Sequence, residues 1–174
     1  MDVIKAIKGR REITSFKDTK ISKETYEEIL EAGYYAPTGN NLPSREFILV
    51  TNREKLDQLT KTTPFMPWLK EASGAIVVTG CPDVSKYWIQ DASISTGFMW
   101  LRATELGIGV GFGAVYHHED AVESAKREEW VRNALHIPKD RRIVAILGLG
   151  YANHSPEDKT LPPREKIVYY ENFK

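Results

Sequence analysis

The chain has 174 residues, and Lys plus Arg and Asp plus Glu number 24 each, so its formal net charge is zero. That length reads as one domain spanning 1–174 with a core of its own, and the balanced charge excludes a global field that would recruit nucleic acid or an acidic membrane. Cys81 is the only cysteine, which excludes an internal disulfide and fits a reducing compartment, while no apolar run has the length of a signal peptide core or a membrane span; a soluble, cytoplasmic protein is expected.

Val3, Ile4 and Ile7 recur at helical spacing and Gly9 supplies a stop, so a short helix opens the chain. Arg10 and Arg11 follow it. They read either as a solvated helix end or as an anion clamp, because guanidinium forks match phosphate oxygens. Residues 12–20 read as a loop. Ser22 is a predicted N-cap for a helix whose inner face carries Tyr26, Ile29, Leu30 and Gly33. The stretch Ala36 to Phe47, A-P-T-G-N-N-L-P-S-R-E-F, is then longer and more polar than a helix-to-strand connection requires, and loops of that kind on a rigid scaffold carry binding residues.

Phe47–Val50 is a predicted strand, and Asn52 caps a helix with Leu56 and Leu59 inward. The segment T-T-P-F-M-P-W, ending at Trp68, is either core filler or a wall over a pocket. Ala75–Thr79 is a second buried strand, followed by Cys81, which reads as an incidental buried thiol. The longest helical pattern runs from about Lys86 to Leu106, with Ile89, Ala92, Thr96, Met99 and Ala103 on one stripe and a small-residue face suited to close packing, including at a subunit interface. The glycines of G-I-G-V-G-F-G, ending at Gly113, follow a helix and enter a strand, the reverse of a dinucleotide fingerprint, but they permit close approach by a flat ligand. Adjacent His117 and His118 lack metal-ligand spacing. Residues 119–135 read as a helix with Val122, Ala125, Trp130 and Leu135 inward and with Glu123, Lys126, Arg127, Glu128 and Glu129 as a solvated face. Arg142–Leu147 is a third buried strand, and Ile167–Tyr170 reads as a lone tail strand in need of a partner.

In that order, Arg10-Arg11 with Phe16, A-P-T-G-N-N-L before a strand, Y-W-I-Q-D-A at Tyr87, L-G-I-G-V-G-F-G-A and an Arg in a proline-rich tail resemble the nitroreductase family of FMN-dependent oxidoreductases over nearly the whole chain. The resemblance implies an α+β fold with a central mixed β-sheet flanked by helices, an intertwined homodimer with an exchanged C-terminal tail, and FMN sites at the interface. It implies that Arg10, Arg11 and Arg164 hold the FMN phosphate, that Pro37, Thr38 and Asn41 serve the partner's flavin site, and that Gly113 and Ala114 bring backbone N–H groups towards flavin N5. Glu12 and Thr14 stand where the family pattern has Ser and a cation, and Pro43 stands where it often has Gln, so Arg45 becomes the candidate substitute donor to the flavin. Phe65, Met66 and Trp68 are candidates for a wall over the ring.

The function so implied is ping-pong hydride transfer from NAD(P)H through flavin N5 to an electron-poor acceptor such as a nitroaromatic or quinone. No protein acid or base and no metal is then required, since the cofactor carries the chemistry. The alternative is an FMN-binding protein that stores, senses or degrades flavin without acceptor turnover.

Overall fold

A computed structural model describes residues 2–173. Its helices are α1 (Val3–Gly9), α2 (Lys23–Tyr34), α3 (Arg53–Leu59), α4 (Trp88–Glu105) and α5 (Ala121–Leu135), and its strands are β1 (Arg45–Val50), β2 (Gly74–Gly80), β3 (Gly109–Ala114) and β4 (Arg142–Gly150). Local chemistry sets several of these boundaries. The side chains of Ser22, Asn52 and Asp120 accept the N–H groups of Thr25, Lys55 and Glu123, which satisfies donors that a helix start leaves unpaired. Helix α5 ends where His136 turns left-handed at φ 57° and its N–H returns to the Arg132 carbonyl.

The strands form one sheet in the order β1-β2-β4-β3, antiparallel at all three pairings. The parallel contact expected of a mixed sheet is confined, among the described residues, to an isolated bridge between Glu12 and Val110. Strand β2 is buried along its whole length and β4 over all but its first residue, because helices cover both faces of the sheet. That is why both read as continuous apolar runs with no polar alternation. On one face Ile29 of α2 and Met99 of α4 pack with Ile76, Val78 and Leu147; on the other Leu56 and Leu59 of α3 and Val131 of α5 pack with Val77 and Ile146. Each such fully buried side chain contributes about 1.5–3 kcal/mol. Gly33 lets α2 approach α4, since a Cβ there would lie 2.8 Å from Met99 Cγ.

Three expectations are corrected. Helix α5 does not bury Val122, Ala125 and Trp130: Val122 is 82% exposed, and the inward residues are Ser124, Arg127, Glu128 and Val131. Charge won a core position because Glu128 there accepts from Arg142, the Ile143 amide and Ser124 together, which compensates the burial. The tail at Ile167–Tyr170 is not a strand; a 3-10 turn at Arg164–Lys166 precedes it, and Ile167 and Tyr170 stay exposed. In the segment ending at Trp68, Met66 and Trp68 fill the core and Phe65 does not. Met66 is buried under Gly113 and Trp68 lies under Gly111 and Gly148, while Phe65 points to solvent. The glycines of β3 thus make room for the protein's own side chains on that face.

Candidate functional site

Strand β3 is an outer strand, and its free edge meets the segment that follows α1. The Ile13 amide donates to the Val110 carbonyl at 2.9 Å, and the Phe112 amide donates to Glu12 Oε1 at 3.3 Å. Trp100 of α4 donates its indole N–H to the Arg11 carbonyl at 3.3 Å, stacks on Phe112 with ring centres 6.0 Å apart, and carries the Arg10 guanidinium 4.9 Å from its ring centre. Arg11 is oriented by the carbonyls of Lys8, Arg10 and Glu157. The last of these brings in the chain after β4, and with it Lys159.

Burial, and then the charges of Arg10 and Arg11, hold the Lys159 ammonium below the usual lysine range. Three cations therefore gather at one end of β3, and among the described residues none of them has a carboxylate within salt-bridge distance. Mutually repelling cations without a counter-ion fit a phosphate dianion, which bonds best to such donors. Sequence reasoning missed Lys159 and Trp100, which carry no local motif, and took Phe112 only as part of the glycine-rich stretch; only the fold brings them to Arg10.

From this end β3 runs back along α4, with Phe112 beside Trp100 and Tyr116 edge-on to Trp88. Gly113 and Ala114 lie between. Val110 and Phe112 turn their backbone groups outward to residues 12 and 13, so strand alternation gives Ala114 the same outward aspect. Ala114 is solvent-exposed, and its carbonyl accepts from Arg127 Nη1 at 3.2 Å.

The loop between α2 and β1 sits elsewhere. Gly39 and Ser44 donate to the buried Asp91 carboxylate near the start of α4, and Asn40 and Asn41 are both left-handed at φ 56°. Pro37 and Asn41 are exposed and Thr38 is half-buried. This loop leads into β1, the sheet edge opposite β3, about 14 Å away across three strand spacings. Along α4, Asp91 and Trp100 are separated by roughly 13 Å. One chain thus carries two polar regions that do not meet.

The nitroreductase family profile matches residues 7–63, a span that includes Arg10, Arg11 and the loop at Ala36–Phe47. A protein of Archaeoglobus fulgidus is 36% identical over 154 residues, covering 86% of this chain and 85% of its own. The chain belongs to the nitroreductase family. The same name, "Putative NADH dehydrogenase/NAD(P)H nitroreductase", is carried by that relative and by a solved structure from Parabacteroides distasonis, which superposes at a TM-score of 0.90 with 28% identity and 98% of each chain covered. An FMN-dependent nitroreductase of Clostridium difficile superposes at 0.86 with 30% identity, over 98% of this chain and 99% of that one.

Among the described residues, the remaining expected site residues have other partners or stand alone in this fold. Arg45 spends its guanidinium on structure: Nη2 donates to the carbonyls of Tyr34 and Ala36 at 3.0 and 2.8 Å, and Nε donates to Ser95 Oγ at 3.1 Å. It closes the C-terminus of α2, where a cation is favoured. Thr14 is exposed and neutral. Arg164 donates within the tail to Tyr170 Oη at 2.7 Å, and among the described residues it makes no hydrogen bond to Arg10 or Arg11. Cys81 is buried, and burial pushes its thiol up, followed by the nearby Glu46 charge, so it is no nucleophile.

Proposed function

We propose that the chain is one protomer of a homodimeric, FMN-dependent oxidoreductase that uses NAD(P)H to reduce an electron-poor acceptor such as a nitroaromatic or quinone. The observation that carries this reading is the uncompensated cluster of Arg10, Arg11 and Lys159 beside an exposed strand edge. Arg10 and Arg11 hold the phosphate through charge-assisted bonds, and Lys159 adds a third charge. By strand alternation Ala114 turns its backbone outward, towards the edge of a flat ring, while Gly113 turns its own towards β4. Bound FMN supplies the redox chemistry, taking electrons from the nicotinamide and passing them to the acceptor.

The separation of the loop from the cluster supports the dimer. Pro37, Thr38 and Asn41 lie at the wrong sheet edge to serve their own chain's Ala114, so a second copy is the natural recipient. Exposed Ile94 and Phe98 on α4, with Val3, Ile4 and Ile7 on α1, supply an apolar surface for that association. Arg164, exposed in the tail, reaches a phosphate in the same way, across the dimer.

A second reading, flavin binding without acceptor turnover, draws on one feature. Thr14 is neutral and Arg45 is committed to α2, so neither supplies a cation for charge developing on the ring. Absorbance of the purified chain reconstituted with FMN, followed by anaerobic mixing with NADH and NADPH and then with a quinone, separates the two. A yellow protein bleached by nicotinamide and restored by quinone is the expected result; a yellow protein that neither nucleotide bleaches selects the second reading.

A further inference from the structure

Glu12 lies beside Arg10 and Arg11 in sequence, in the half of the site assigned to phosphate, where a carboxylate should repel the ligand. The fold turns it to another use. Its Oε1 accepts the Phe112 amide at 3.3 Å, and among the described residues it forms no ion pair with any Arg or Lys. The Phe112 N–H belongs to the free edge of β3, so a side chain here takes the place that a neighbouring strand's carbonyl would occupy.

This contact completes a three-point attachment of the clamp. The Ile13 amide is on Val110, the Arg11 carbonyl is on the Trp100 indole, and the Glu12 carboxylate is on Phe112. Phe112 and Trp100 stack on each other, and Arg10 rests on Trp100. The backbone that projects Arg10 and Arg11 is thereby fixed against the same strand that presents Ala114.

We propose that Glu12 is a positioning residue for the phosphate clamp: by reaching the β3 edge amide at Phe112 it sets the direction of Arg10 and Arg11 while leaving their charge, and that of Lys159, uncompensated for the ligand. Reach, not charge, is the property used. The inference rests on the FMN reading given above.

The test exploits that distinction. Glu12→Gln keeps the reach and loses the charge; Glu12→Asp keeps the charge and falls short of Phe112. Affinities for FMN and for riboflavin, which lacks the phosphate, are measured by flavin fluorescence quenching on full-length dimeric protein, with amide exchange at residues 109–114 recorded in the flavin-free state. Glu12→Asp is expected to lose about tenfold in FMN affinity, the scale of one misaligned charge-assisted bond, with riboflavin affinity unchanged and faster exchange at Phe112. Glu12→Gln is expected to retain FMN affinity and slow exchange. Wild-type FMN affinity in Glu12→Asp, or equal losses for FMN and riboflavin, overturns the proposal and leaves the flavin reading standing. A wild-type chain that binds neither flavin overturns both.

Discussion

Asp91 and Ser44 form the tightest polar contact in the α2–β1 loop: the Ser44 hydroxyl donates to Asp91 Oδ2 at 2.5 Å, while Oδ1 accepts the Gly39 amide at 2.9 Å. One buried carboxylate thus pinches both ends of the turn that carries Asn40 and Asn41. Asp91→Ala leaves two donors unpaired and is expected to cost about 2–4 kcal/mol. Urea unfolding measures the loss, and FMN retention is expected to fall with it because the loop no longer holds its shape.

Within the same loop, stability and ligand binding are expected to separate. Arg45→Ala removes the group that closes α2 and should cost about 1–2 kcal/mol, with the rate of flavin reduction unchanged. Asn41→Gly keeps a left-handed position accessible and deletes the amide, so it should weaken FMN retention with stability little altered. Thermal denaturation and flavin titration of the two variants check the pair; a slowed reduction in Arg45→Ala would return that residue to the site.

Lys159 is expected to make FMN affinity depend on pH. Burial first, then Arg10 and Arg11, depress its ammonium, and a phosphate dianion binds the charged form better. Affinity is therefore highest below the lowered lysine value and falls as pH rises through it. Flavin titrations from neutral to alkaline pH should show this decline in the wild type and a flatter profile in Lys159→Gln.

Glu128 makes stability depend on pH at the acid end. Burial opposes its ionisation, but Arg142, the Ile143 amide and Ser124 outweigh that and hold the carboxyl below the usual carboxylate range. A depressed folded value contributes stability that is present above the unfolded value of about 4.3 and is lost as pH falls through the folded one. Glu128→Gln is expected to destabilise by about 1–3 kcal/mol at neutral pH, with the difference from wild type shrinking in acid. Denaturation midpoints across that range provide the measurement.

Much of this architecture was legible in residue order. Ser22, Asn52, Gly9 and the apolar runs of β2 and β4 each act locally, through caps, stops and two-sided burial, so the sequence shows them directly. The inner face of α5 was not legible. Its buried members include Arg127 and Glu128, and their partners Ala114 and Arg142 lie off the helix, on the strands before and after it, outside any helical period. The structural bonds of Arg45 were hidden too, since its acceptors include carbonyls at the end of α2 that no residue type announces. Arg10 and Arg11 stood out as phosphate chemistry, whereas Lys159 acquires that character only when the chain after β4 returns to them. The lone tail strand was an error of propensity, because β-favouring side chains do not make a strand without a paired neighbour.

The most direct test of the account is anaerobic stopped-flow mixing of FMN-reconstituted protein with NADH and with NADPH, followed through the flavin absorbance band. Stoichiometric FMN binding per chain is expected, with bleaching by at least one nucleotide and loss of bound flavin in Arg10→Ala and Arg11→Ala with the fold retained. A chain that stays colourless after reconstitution, or whose bound flavin neither nucleotide reduces, would contradict the account.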